Sequence, residues 1–197
     1  ASLDDLLSNQ EKKDFEKLVG MNHSLAQTVK QCKATISYPP NGLPMLLYGP
    51  TGTGKSLIAK LTYEWARNHG VIAKDGQFVQ VNCSEYANNP ELLTANLFGH
   101  VKGAFTGAEK DNEGLIALAD NGVLFLDEVH ELKAECQEKL FLFMDQGIYH
   151  RVGDNEKWYK SNVRIVFATT ENPDKVLLKT LMRRIPMTIT IPSLEQR

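Results

Sequence analysis

Residues 45–57 read Met45-Leu46-Leu47-Tyr48-Gly49-Pro50-Thr51-Gly52-Thr53-Gly54-Lys55-Ser56-Leu57. An apolar run ends at Gly49, a helical pattern begins at Lys55, and between them stands G-x-x-x-x-G-K-S. Glycines let the backbone turn successive N–H groups onto phosphate oxygens. The following helix brings its positive N-terminal end to the same anion. Gly49, Pro50, Thr51, Gly52, Thr53, Gly54, Lys55, Ser56 and Leu57 are therefore the expected nucleotide cradle. Within it Lys55 reaches the β- and γ-phosphates, and the Ser56 hydroxyl holds Mg²⁺. A strand before and a helix after are the context this motif demands, and both are present.

The pattern extends outward from that stretch. Upstream, residues 1–20 form a polar, acidic lead-in with a weak helical signal, and residues 21–197 read as one unit. Asn22 is placed to cap a helix carrying Leu25, Val29, Cys32 and Ile36 on one face, stopped by Tyr38-Pro39-Pro40-Asn41-Gly42. Downstream, a helix from Lys55 to about His69 turns Leu57, Ile58, Leu61 and Trp65 to the core. Residues 78–82 alternate as a strand, and Asn89-Pro90 opens a helix that Gly99 ends. Residues 103–108 fit neither period. A short helix over 113–120 precedes the fully apolar strand Val123-Leu124-Phe125-Leu126, which ends in Asp127-Glu128. A helix over 133–146 turns Cys136, Leu140, Phe143 and Met144 inward. Residues 148–162 read as an exposed hairpin or loop, 163–167 as a buried strand, 174–183 as a helix and 186–191 as a last strand.

Strands alternating with helices, two of the strands apolar throughout, predict a parallel sheet covered on both faces. Ligands belong at the carboxyl ends of such strands, where Gly49, Asn82, Asp127 and Thr169 fall. The chain of 197 residues is 42% hydrophobic and 23% charged with a net charge of −2, the balance of a globular protein with no global attraction to DNA or anionic lipid. No apolar run is long enough to span a bilayer. Three scattered cysteines and five scattered histidines argue for reduced thiols in a cytoplasm and against disulfides or structural zinc.

Asp127 stands where a second carboxylate for Mg²⁺ is needed, and Glu128 is placed to orient and deprotonate an attacking water. This favours a hydrolytic ATPase; a guanine-reading N-K-x-D is absent.

The run Asn96-Leu97-Phe98-Gly99-His100-Val101-Lys102-Gly103-Ala104-Phe105-Thr106-Gly107-Ala108 resembles the signature of the bacterial enhancer-binding activators of sigma-54 RNA polymerase, which are AAA+ ATPases. The hexapeptide GAFTGA is complete, and further matches run through residues 114–130, 151–153 and 163–170. Residues 36–56 resemble the levanase-operon regulators, which join this domain to sugar-phosphotransferase regulation modules. The resemblance implies a three-layer P-loop NTPase of the AAA+ type with a mostly parallel five-stranded sheet, binding ATP and Mg²⁺ between subunits of a ring, a hexamer in the family. It implies that Gly103, Ala104, Phe105, Thr106, Gly107 and Ala108 form a nucleotide-driven loop touching sigma-54 and its polymerase holoenzyme, with residues 148–160 as a supporting loop. Asn82 matches the residue that restrains the catalytic Glu128, Arg184 an arginine finger with Arg183 beside it, and Thr170 the sensor.

Some positions depart from the family. The sensor string is Ala168-Thr169-Thr170 where the family has Asn last. Leu178 stands where a first finger arginine is usual, and Val123 where Thr or Ser is commoner. The family's helical lid follows a Pro-Ser-Leu-Glu-Gln-Arg segment, and the chain stops there, so the expectation is the α/β part alone with weakened turnover. No helix-turn-helix pattern is visible, so DNA contacts are expected from other domains. Two rivals remain open: an AAA+ remodeller outside transcription, against which the complete GAFTGA argues, and a nucleotide-gated binding module without turnover.

Overall fold

The computed structural model describes residues 24–193 and Glu195; the weak helical signal over 1–20 and the Asn22 cap lie outside them. Five strands make one sheet: β1 (Met45–Tyr48), β2 (Phe78–Asn82), β3 (Val123–Asp127), β6 (Arg164–Thr169) and β7 (Met187–Thr190). Their order is β2-β3-β6-β1-β7, and every neighbouring pair is parallel. A two-stranded hairpin, β4 (Ile148–Tyr149) with β5 (Tyr159–Lys160), stands apart.

The central strands β1, β3 and β6 are buried on both faces, and the side-chain period of two divides them cleanly. Leu46, Leu124, Leu126, Ile165 and Phe167 point to one layer, with α3 (Pro90–Phe98), α4 (Leu115–Leu118) and α5 (Ala134–Gln146). Met45, Leu47, Val123, Phe125, Val166 and Ala168 point to the other, with α1 (Ser24–Ile36) and α2 (Lys55–Asn68). The result is the expected three-layer architecture.

Three sequence expectations change. Leu57 is exposed, not core-facing, because α2 turns Ile58, Ala59, Leu61 and Thr62 to the sheet and leaves Leu57 beside the phosphate loop. The helix expected over 174–183 is two pieces, α6 (Pro173–Val176) and α7 (Lys179–Met182). Between them Leu177 and Leu178 are extended, and the Leu178 N–H donates to Gln137 Oε1 on α5 at 2.7 Å, which removes it from a continuous helical ladder. The 148–162 segment is exposed at Trp158 but anchored at Tyr149, a buried ring packed between Phe98, Phe143 and Tyr159.

Candidate functional site at the carboxyl edge of the sheet

Strands β1, β2, β3 and β6 deliver Gly49, Asn82, Asp127 and Thr169 to one edge, as parallel strands must. The loop after β1 is shaped by Gly52 and Gly54, both at positive φ (80° and 87°), and Gly54 caps α2 in the left-handed conformation. A Cβ at Gly49 would meet the Ile191 carbonyl at 2.9 Å, so glycine is needed there for close approach.

Lys55 is buried, and its Nζ donates to the Gly49 carbonyl at 2.8 Å and the Pro50 carbonyl at 3.0 Å. Burial pulls its pKa down, while Asp127 and then Glu128 oppose that shift. Both carboxylates therefore act on the phosphate-loop lysine. Asp127 Oδ1 accepts the Glu128 N–H at 2.8 Å. Ser56 is exposed at the start of α2. One hydroxyl and one carboxylate are the hard oxygen ligands that Mg²⁺ takes alongside phosphate oxygens. The donor set fits that ion.

Glu128 sits at φ 55°, ψ 46°, a left-handed conformation rare for a residue with a side chain. Its Oε2 lies 3.3 Å from His130 Nε2. The imidazole's other nitrogen, Nδ1, is 3.2 Å from Thr169 Oγ1. Asn82, expected to restrain Glu128, has its oxygen engaged elsewhere. It accepts from the Ser84 N–H at 3.0 Å and the Ser84 hydroxyl at 2.7 Å, capping the turn Cys83–Tyr86. Thr169 is fully buried in this network, and Thr170, the expected sensor, stands half-buried next to it.

Farther along the chain, a loop follows α3. Its base is clamped by reciprocal His100 and Asn112 backbone bonds of 3.0 and 2.8 Å. Val101 N donates to Val152 O at 3.1 Å and Val152 N to Gly99 O at 2.9 Å, which ties this loop to the hairpin loop. At the tip, Phe105 is 38% exposed, its ring edge-on to His100 at 4.9 Å, so it is neither buried nor free. The two loops frame a groove of about 800 Å³ lined by Leu92, Phe105, Lys139, Arg151 and Asn155 among others.

A family model described as "Sigma-54 interaction domain" matches residues 18–189. The chain belongs to that family. It is 52% identical over 183 residues to the transcriptional regulatory protein LevR of Bacillus subtilis, covering 93% of this chain and 20% of LevR. It is 44% identical over 185 residues to DagR of Salmonella typhimurium, covering 93% of this chain and 19% of DagR. The chain thus spans about a fifth of the length of these curated relatives. Among solved structures it resembles NtrX of Brucella abortus with a TM-score of 0.71 and 27% identity, over 95% of this chain and 41% of that one. NtrX in complex with ATP matches with a TM-score of 0.68 and 26% identity, over 87% of this chain and 36% of that one.

In this sigma-54 interaction domain the phosphate loop, Asp127, Glu128 and Thr169 converge on one edge. Arg184 does not join them. Its Nη2 pairs with Asp145 Oδ1 at 2.6 Å and its guanidinium lies over Phe141 at 5.4 Å, on the chain's own α5. Arg183 is exposed at the end of α7. The residue missed by sequence reasoning is His130. The signal was its place two residues after Glu128 in Asp127-Glu128-Val129-His130, but its partner Thr169 lies 39 residues on.

Proposed function

We propose that this domain hydrolyses ATP to ADP and phosphate and uses the cycle to move the 103–108 loop against sigma-54 in a polymerase holoenzyme. The observation that carries the reading is the convergence, at the carboxyl edge of one parallel sheet, of the phosphate loop with its buried Lys55 and the Asp127–Glu128 pair that ends β3. Binding residues and a water-activating carboxylate are thereby assembled on one sheet edge. Lys55 exchanges the carbonyls of Gly49 and Pro50 for phosphate oxygens, Gly49, Pro50, Thr51, Gly52, Thr53, Gly54 and Leu57 shape the cradle, and Glu128 takes the proton of the attacking water. Ser56 and Asp127 would hold Mg²⁺, which would supply charge neutralisation at the phosphates. Gly103, Ala104, Phe105, Thr106, Gly107 and Ala108 contact sigma-54, with residues 148–160 supporting them. The loop-to-loop backbone bonds support that partnership. Ring assembly, with Arg184 reaching a neighbour's γ-phosphate, requires its pair with Asp145 to open.

That self-paired Arg184 favours a second reading, a nucleotide-gated binding module without turnover. Two measurements separate them. Phosphate release in the presence of ATP and Mg²⁺ is expected under the ATPase reading and absent under the other. The chain mixed with sigma-54, ADP and a metal fluoride is expected to give a co-migrating complex that Thr106→Ala abolishes. A complex that survives in Thr106→Ala removes the loop from the reading.

A further inference from the structure

Thr169 has two duties. Its carbonyl accepts the N–H of Gly49, the first residue of the phosphate loop, at 3.3 Å. Its hydroxyl oxygen accepts the Glu171 N–H at 3.1 Å and lies 3.2 Å from His130 Nδ1. When that hydroxyl donates to Nδ1, the neutral imidazole carries its proton on Nε2. Nε2 is the nitrogen 3.3 Å from Glu128 Oε2 and 3.8 Å from Glu131 Oε1. The ring is 13% exposed, and the glutamate it faces stands in an unfavourable left-handed conformation. Such a conformation persists only where its surroundings determine it. Among the described residues no hydrogen bond joins Asn82 to Glu128; the Asn82 oxygen accepts from Ser84.

We propose that His130 is the positioning residue of Glu128: it fixes the carboxylate through Nε2 and, through Nδ1 and Thr169, ties it to the first residue of the phosphate loop. The inference rests on the proposed ATPase reading and names the group that aligns its base. A displacement of Gly49 when the loop takes up nucleotide passes through one residue to the imidazole. The carboxylate is then re-aimed without any direct contact between Glu128 and the loop backbone. His130 touches neither substrate nor the reacting atoms.

The test compares His130→Gln and His130→Asn with His130→Ala in the 197-residue chain. The Gln amide reproduces the Nε2 position and keeps a donor toward Glu128. The Asn amide reproduces only the Nδ1 position toward Thr169. A misaimed base costs on the order of tenfold to a hundredfold in kcat. That loss is expected for Ala and Asn, with KM for ATP and ADP affinity unchanged, and Gln is expected to recover most of it. Equal kcat for Gln and Asn, or a loss that travels with weakened ADP binding, overturns the proposal and leaves the ATPase reading standing. Failure of the unsubstituted chain to release phosphate is instead a failure of that reading. Histidine-selective ¹⁵N NMR then decides the inference by itself. The His130 ring is expected as the Nε2-protonated tautomer, with resonances that move when ADP and beryllium fluoride are added. A ring indifferent to nucleotide overturns it.

Discussion

Two glycine-rich segments of this domain, the phosphate loop and the 103–108 loop, are held in different ways. In the phosphate loop the shape is held by close approach and a buried cation: Gly49 abuts Ile191, Thr53 is buried, and Lys55 bonds back to Gly49 and Pro50. In the 103–108 loop, a Cβ at Gly103 or Gly107 would meet nothing within 4 Å. The tip is closed mainly by its own short backbone bonds, Gly103 N to Ala108 O at 2.9 Å and Ala108 N to Phe105 O at 3.1 Å. Yet the base of that second loop is tight. Gly99 (φ 80°, ψ 171°) and Gly114 (φ 83°, ψ 167°) lie in a region essentially reserved for glycine. Each would drive a Cβ into the other strand of the base. The same residue type thus serves three ends: close approach at Gly49, a locked hinge at Gly99 and Gly114, and freedom at Gly103 and Gly107. A soft tip on a rigid base is what an arm moved by a distant site requires.

The sharpest way to break the comparison is at the base. Gly114→Ala places a Cβ 2.3 Å from the Gly99 nitrogen as well as in a forbidden conformation. Strain and overpacking together cost about 3 kcal/mol or more. For a domain of this size, thermal unfolding is expected on the order of 10 °C lower. Gly107→Ala meets open space and is expected to cost about 1 kcal/mol, from its positive φ alone. Calorimetry of the two variants checks this; similar losses in both would mean that the tip is as constrained as the base.

Next in size is the phosphate loop. Lys55→Ala removes a buried cation that bonds two loop carbonyls and, in the proposed reading, takes up phosphate. Charge-assisted bonds of this kind are worth about 1.5–3 kcal/mol, so ATP affinity is expected to fall roughly tenfold to a hundredfold. Fluorescent-nucleotide titration checks it, and the loop-to-loop contacts should survive unchanged. A variant that also frees the 103–108 loop would show that the two segments are already coupled without nucleotide.

The sequence made the sheet readable because its signals are local. The apolar run Val123-Leu124-Phe125-Leu126 and the G-x-x-x-x-G-K-S after Met45–Tyr48 name their own structure, and β1, β2 and β3 begin where hydrophobic pattern places them. What stayed hidden depends on partners far away in the chain. Gln137 reaches 41 residues on to claim the Leu178 N–H and split a helix that periodicity alone joins. Thr169 is a strand-end residue in sequence, and only folding shows it beneath His130 and beside Gly49. Leu57 fits a helical stripe by count, but the stripe's azimuth is fixed by the sheet below it. For the site, residue types at strand ends gave the cast. Side-chain geometry added the contacts these residues make in this chain, with the Asn82 oxygen on Ser84 and Arg184 on Asp145.

The smallest effect tests the tip directly. Phe105 is exposed over more than a third of its surface and touches His100 edge-on. Phe105→Ala forfeits that contact, worth about 0.5–1.5 kcal/mol. Thermal stability and phosphate release should both stay near those of the unsubstituted chain, because nothing at the Lys55, Asp127 and Glu128 edge rests on the ring. Capture of sigma-54 in the metal-fluoride state should be lost. That pattern, a silent substitution for fold and chemistry that is decisive for the partner, is the signature of a soft tip with a binding role. A large loss of stability would instead make Phe105 part of the rigid base, and the contrast between the two glycine-rich segments would then begin beyond Gly107.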